Sequence, residues 1–570
     1  MTRAYPSTKM FLLVFKVVCL FIPSTTAFII SFEGRRQLQH GVVGLNLAPL
    51  PENTSSLDDA CDVAVMGGGF GGLYTALAIS RQAKKYNRNV DIVLVDNRDR
   101  FVFLPLLYDL TMGTASEAEV CPTYDELLEG TGIRYIKASF DSFIRDDTGS
   151  LLLVKEDEDN SIINLSSKAS VVAVGATPEL FLNSIPGASE YAIPFYTRED
   201  AFTVRELLFR MDQKARQGHF PKIAIIGGGY GGVELAACVS RRLPKANVTL
   251  ISRGPPMSGT RAESMVNIAL ETLGVITEIS NVRTLKQNNS NGRITIDRTT
   301  DLDLDRASTE VEIVDTKGEE FDAVLWTAGS FPSQPLTENS KMGGLALSSS
   351  NRLVVDKTLR CSFDTDGDKM PPVWALGDCC EILPVVHPTP PKTAQVAIQQ
   401  ADVVASNVLD TIFDLNRNTE VFEFQDLGSM LTLGGPNGAI IGPKDGAQLE
   451  SLLVPLLDTA RVGLGVADNL LTKIINSKEI DKTGAIAPVL ENLNLSLGGY
   501  GLGISPETSP SGVIAGTLSG ASRRAIYALR MPTNKQRAVA GASAFISSAA
   551  SLVKEASDQI QTTTDKNNIS

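Results

Sequence analysis

The sequence predicts an α/β chain with two Rossmann-like dinucleotide-binding domains and a C-terminal region of different character. Three observations predict it. "DVAVMGGGFGGLYTA" at 62–76 is an apolar strand running into a glycine cluster and then a helix. "KIAIIGGGYGGVELA" at 222–236 repeats the device about 160 residues later. From residue 426 onward the composition shifts toward Gly, Ser, Ala and Leu.

The 570 residues suffice for two to four domains, and 43 % apolar with 21 % charged residues is globular composition. A net charge of −13 disfavours nonspecific binding to nucleic acid, so no nucleic-acid partner is expected. The seven cysteines contain no C-x-x-C and are too sparse for a disulfide scaffold, which suits a reducing compartment. With three histidines, His40, His219 and His387, a histidine metal centre or hydrolytic triad is not expected.

Residues 1–27 have the layout of a signal peptide. Arg3 and Lys9 precede or border the apolar run "MFLLVFKVVCLFI" (10–22), which is too short to span a bilayer comfortably, and small residues lead to Ala27-Phe28. Residues 28–57 lack a compact pattern and begin with Arg35 and Arg36 against Glu33. The pair of segments resembles the two-part plastid presequence of algae with secondary plastids. That implies a plastid location; a mitochondrial or secretory destination is the alternative.

In each glycine motif the spacing is functional. Gly67, Gly69 and Gly72 form the first set, and Gly227, Gly229 and Gly232 the second. The first glycine of a set permits the tight turn, the second lets a pyrophosphate approach the backbone, and the third lets helix pack on strand. The helix N-terminus then presents free N–H groups to the phosphates. Each motif leads to a second strand, "VDIVLVD" (90–96) and "NVTLIS" (247–252). The first of these ends in Asp96, 24 residues after Gly72, where a carboxylate accepts from a ribose 2′-hydroxyl. The second ends in Ser252-Arg253, 20 residues after Gly232. No acid is there to repel a 2′-phosphate, and Arg253 would attract one. FAD is therefore expected in the first site and NADPH in the second, with NADH the poorer donor. A solvated turn residue is the alternative role for Arg253.

Further strands end in glycine: "VVAVGATP" (171–178) at Gly175, "AVLWTAGSFP" (323–332) at Gly329, and "VWALGDCCE" (373–381) before Asp378. This order resembles the two-dinucleotide-binding-domain flavoproteins, in which an NAD(P) domain is inserted into the FAD domain. The resemblance assigns Asp378 to the ribityl or pyrophosphate region of FAD. "FLPLLYDLTMGTAS" (103–116), "PPKTAQVAIQQA" (390–401) and "FQDLGSMLTLG" (424–434) resemble the segment under the flavin, the quinone-site helix and its continuation in type II NAD(P)H dehydrogenases. These are single-subunit, non-pumping NAD(P)H:quinone oxidoreductases, and the presequence points to the chloroplast members, which act on plastoquinone and related prenylquinones.

The resemblance implies three candidate catalytic residues. Glu234 would lie near the nicotinamide and the flavin edge; stabilising its own helix N-terminus is the alternative. Gln395 and Gln399 are four apart, share a helix face and offer amides to a quinone carbonyl. An amphipathic helix with polar surface amides is the alternative. Pro390 and Pro391 suit the first turn of that helix, which is expected to run to about Phe413. Sulfide:quinone chemistry would need two thiols close to the flavin, and no cysteine lies between 122 and 237. Adjacent Cys379 and Cys380 are poorly spaced for a redox disulfide.

Residues 435–446 read as turns and 447–475 as an apolar helix. Residues 508–554 contain no acid but carry Arg523, Arg524, Arg530, Lys535, Arg537 and Lys554. Two amphipathic helices, 522–531 and 538–556 around Pro532, suit an anionic membrane surface. Packing on the body or on a second copy, as in a homodimer, is the alternative. The expected division is 58–198 and 346–425 for the FAD domain, 199–345 for the NAD(P) domain, and 426–570 for the C-terminal region.

Overall fold

The computed structural model describes residues 57–441 and 513–544, apart from 145–149, 155–160, 178–182, 300–318, 333–335, 337–338, 365–371, 385–388, 416 and 436. The presequence and the helix expected over 447–475 lie outside the described residues.

Both dinucleotide folds are present. The first sheet has the strand order 133–137, 92–96, 57–66, 162–172, 150–154, 139–144, and Val373–Ala375 also pairs with 162–172. Leu57–Met66 is parallel to both neighbours, with Val65 opposite Leu94 and Val171. The β-branched runs are buried on both faces, as a parallel sheet covered by helices requires. Helices Phe70–Lys85 and Ala394–Phe413 pack together, so residues from both ends of the domain close one layer.

The second sheet is fully parallel, in the order 276–279, 247–252, 222–226, 323–326, 192–194. Ala192–Pro194 thus belongs to the nicotinamide-type sheet. The chain passes between the two folds twice, and these links pair antiparallel, with Phe331 opposite Thr177 and Pro332 opposite Ala176.

Two expectations about local structure are revised. Gly438–Ile441, inside the stretch read as turns, is the middle strand of a three-stranded antiparallel sheet with Ser429–Thr432 and Val513–Gly516. Its Ala-Ile-Ile core is buried, which outweighs the flanking Gly and Pro. The helix after Pro390-Pro391 starts at Ala394 and is capped by Thr393, whose hydroxyl accepts from Val396 N, so the prolines precede the first turn. Its end at Phe413 agrees with the sequence.

The C-terminal helix Thr517–Arg530 follows directly, and the chain is helical again from 534 after a break that includes Pro532. Among the described residues no helix is long and apolar enough to cross a membrane.

Candidate active site

The first glycine turn is built for a close ligand. Gly67 has φ +96°, and a Cβ there would sit 2.4 Å from Ala173 O. A Cβ on Gly72 would sit 1.8 Å from Gly67 O, so strand and helix meet backbone to backbone. At Gly69 the space is open. Gly69 caps helix Phe70–Lys85 without any side-chain bond. By contrast Thr197, Thr123, Ser116 and Thr393 cap their helices with their side chains. The uncapped N–H groups behind an open surface fit a pyrophosphate.

Asp96 ends its strand and is buried. Its carboxylate accepts from Gly68 N at 2.6 Å and from Arg98 N at 2.9 Å. It braces the turn itself as well as standing where a ribose would lie. Gly175 has φ +68° with open space beside it. Asp378 lies after Gly377, whose N–H is held by the buried Gln400 side chain at 2.8 Å. Burial raises the Asp378 carboxyl above its ordinary range, with Lys392 and Arg352 pulling the other way. An acceptor in that setting suits a ligand hydroxyl. These features together fit FAD.

The second turn repeats the geometry. Gly227 has φ +126°, a Cβ on Gly232 would lie 1.7 Å from Gly227 O, and Gly229 faces open space and caps its helix without a side-chain bond. Ser252 is buried and donates to Gly254 O at 2.7 Å, whereas Arg253 is exposed. Gly329 is exposed with φ +72°. The residues fit a nicotinamide dinucleotide.

Four distant segments meet beside the second turn. Glu234, on helix Tyr230–Arg242, is buried and accepts from Thr432 N at 2.8 Å. Tyr108, from helix Leu107–Met112, packs against Gly231, and its hydroxyl hydrogen-bonds the Glu234 carboxyl. Tyr230 and Ser429 share a hydroxyl hydrogen bond of 2.7 Å. From the C-terminal helix, Arg523 donates to Asp109 Oδ2 at 2.7 Å and to Pro105 O at 3.1 Å. Burial pushes the Glu234 carboxyl up to about 7; the Arg523 charge opposes this and Asp109 adds to it. A buried carboxyl poised near neutrality is suited to holding and releasing a proton.

The two glutamines have backbone partners. Gln395 donates to Gly428 O at 3.1 Å and accepts from Leu427 N, and Gln399 donates to Gln425 O at 2.8 Å and accepts from Gln425 N at 3.0 Å. Both amides staple the helix to the backbone of 425–428, so each already has a donor and an acceptor partner there.

The basic C-terminal stretch is also corrected in part. Arg523 and Arg524 are buried and face the body, not an outer surface. Arg524 pairs with Glu119 at 2.9 Å and donates to Thr114 O at 2.7 Å; Ser543 binds both members of the pair. Ion pairing explains the inward turn, because a guanidinium enters an interior only with a partner. Lys535, Arg537, Leu529 and Val539 remain exposed.

Sequence reasoning missed the partnership of Tyr108, Asp109 and Arg523. Two consecutive arginines in a helix otherwise rich in Ala, Ile and Leu were the available signal.

The described cysteines are free thiols. Burial pushes Cys121 and Cys238 up to about 12, and Cys379 to about 11. The Cys379 thiol donates to Leu376 O at 3.2 Å and the Cys380 thiol to Gly377 O at 3.5 Å.

Residues 61–401 match the family described as pyridine nucleotide-disulphide oxidoreductase. The alternative NAD(P)H-ubiquinone oxidoreductase C1, chloroplastic/mitochondrial, of Arabidopsis thaliana is 33 % identical over 398 residues, covering 66 % of this chain and 72 % of that protein. The demethylphylloquinone reductase NdbB of Synechocystis sp. is 32 % identical over 386 residues, covering 66 % and 86 %. Among solved structures, NDH2 from Plasmodium falciparum in complex with NADH is similar in fold, with a TM-score of 0.53 at 16 % identity over 69 % of this chain and 94 % of that one.

Proposed function

From the premise that the chain belongs to the pyridine nucleotide-disulphide oxidoreductase family, and within it to the type II NAD(P)H dehydrogenases, we propose that it is an FAD-dependent NAD(P)H:quinone oxidoreductase that pumps no protons. The observation that carries the reading is the pair of uncapped glycine turns, the second of which opens the helix that holds a buried carboxyl able to keep a proton. Flavin bound there would supply the two-electron chemistry that links a nicotinamide donor to a quinone acceptor.

The protein's own residues supply position and protons. Gly67, Gly69 and Gly72 with the N–H groups of helix Phe70–Lys85 hold the FAD pyrophosphate; Asp96, Gly175 and Asp378 flank it. Gly227, Gly229, Gly232 and Gly329 hold the nicotinamide dinucleotide. Arg253, exposed at the strand end without an acid beside it, selects the 2′-phosphate of NADPH over NADH. Glu234, kept dry by Tyr108, Thr432 and the C-terminal helix, holds a proton for the reduction of the quinone. Gln395 and Gln399 fix their helix to the backbone of 425–428, and the second N–H of each amide remains available to a quinone carbonyl.

The quinone is a membrane prenylquinone of the plastoquinone type. It is met at a membrane surface by the exposed Leu529, Val539, Lys535 and Arg537 of the C-terminal helices, in a plastid. Reduction of a disulfide is disfavoured, because the thiols of Cys379 and Cys380 are buried and turned to backbone carbonyls.

The test is anaerobic. Protein lacking the first 57 residues is mixed with NADPH while the oxidised-flavin absorbance is followed, and a plastoquinone analogue is then added. Bleaching followed by recolouring is the expected result. Bleaching without recolouring removes quinone as the acceptor, and no bleaching removes the nicotinamide donor.

A further inference from the structure

Arg523 reaches the site from the far end of the chain and stands beside a carboxyl that the chemistry needs. Every element packed on Glu234 contributes to its surroundings. Its own helix brings Tyr230 and Cys238. Helix Leu107–Met112 brings Tyr108 and Asp109, strand Ser429–Thr432 brings the Thr432 N–H, and helix Thr517–Arg530 brings Arg523 and Tyr527. Burial holds the tyrosines and Cys238 in their neutral forms at ordinary pH. The charges nearest in their action on Glu234 are those of the Arg523–Asp109 ion pair, at 2.7 Å and almost wholly buried, with Arg524 4.0 Å from the other Asp109 oxygen and itself paired with Glu119.

The two members pull in opposite directions. The guanidinium favours the Glu234 carboxylate, and the Asp109 carboxylate disfavours it. Arg523 also rests over the Tyr527 ring at 5.5 Å and donates to Pro105 O at 3.1 Å, so its place is fixed from three sides. The overall reaction, NADPH plus a proton plus quinone giving NADP⁺ plus quinol, draws both electrons from the nicotinamide and one proton from the medium.

We propose that Arg523 and Asp109 are a balanced pair of positioning charges: either one alone would move the point at which Glu234 gives up the proton used in quinone reduction, and together they offset each other. This rests on the reading of the site as a quinone reductase. The O–H bond of Glu234 breaks as the proton leaves toward the quinone oxygen, and the carboxylate regains a proton from water afterwards. Neither Arg523 nor Asp109 needs to touch the substrate.

The experiment uses the full chain with its flavin. Infrared spectra across a pH titration follow the carbonyl band of the protonated Glu234 carboxyl, assigned by its loss in Glu234→Gln. The midpoint is expected to rise by about one pH unit or more in Arg523→Gln and to fall by a similar amount in Asp109→Asn. The double variant should return close to wild type, and Arg523→Lys should stay close to it. The pH profile of quinone-dependent flavin recolouring should move with the same midpoints. If Arg523→Gln fails to fold, Asp109→Asn and Arg523→Lys still decide the matter.

Shifts of both single variants in one direction, or an unmoved midpoint in Asp109→Asn, overturn the proposal. So does a recolouring profile that ignores the infrared midpoint while quinone reduction itself proceeds, which leaves the quinone reading intact. Expected infrared shifts in a protein that never recolours with quinone would instead sink the quinone reading, and with it the role assigned to the proton.

Discussion

Replacing Arg524 by methionine is expected to loosen the C-terminal helix from the body of the protein. Arg524 and Glu119 have side chains only 6 % and 1 % exposed, and their pair spans 2.9 Å. Methionine keeps some of the packing but leaves the Glu119 carboxylate buried with only Ser543 as a side-chain partner. Removing one member of a buried pair costs about 3–5 kcal/mol. Since each 1.4 kcal/mol is tenfold, local opening of 517–530 should become roughly 100- to 3,000-fold more frequent. Amide hydrogen exchange of those residues measures it directly. Lys535→Ala is the control, because the Lys535–Glu129 pair is 68 % and 73 % exposed at 3.4 Å and is worth at most about 1 kcal/mol. If Arg524→Met exchanges no faster than Lys535→Ala, the buried pair does not anchor the helix and the reasoning fails.

Glu234→Gln should change how stability depends on pH. The folded carboxyl, at about 7, binds its proton more tightly than an unfolded glutamate, so wild-type stability is full below the unfolded value and falls as pH rises toward about 7. The loss is on the order of 3 kcal/mol, and denaturation at pH 5 and pH 8 should show it shrink in the variant. Gly72→Ala should lose flavin on gel filtration, since its Cβ would overlap Gly67 O at 1.8 Å. Gly232→Ala should instead keep flavin and weaken NADPH binding, read by titration. Arg253→Gln should lower the NADPH-to-NADH ratio of kcat/KM by roughly 10- to 100-fold, as expected for a lost charge-assisted bond; an unchanged ratio would return Arg253 to the role of a solvated turn residue.

What was legible in the sequence is what is written locally. The two strand–glycine–helix units appear where their motifs stand, because a turn that admits no Cβ at Gly72 or Gly232 leaves its mark on consecutive residues. "NVTLIS" became the strand Asn247–Ser252 without change. The helix to Phe413 was legible for the same reason. The partners of Gln395 and Gln399 were not, since they are backbone atoms of 425–428, a stretch without regular structure whose path no pattern announces. The acid-free run was plain in the sequence, but its direction was not. Whether Arg523 and Arg524 face outward or inward depends on Asp109 and Glu119, more than 400 residues away along the chain.

That separation has a consequence for how the protein is made. Residues 57–441 hold both glycine turns, Glu234 and the strands beneath them, and a ribosome delivers all of these first. Asp109 and Glu119 stay without their arginines until the last fifty or so residues are made. During that interval the carboxylates of Asp109 and Glu119 have no guanidinium beside them, and the side of Glu234 that the C-terminal helix later covers is open. Translation order thus separates building the two glycine turns from pairing these buried acids, and a chain stopped short of residue 523 would leave both acids without their arginines.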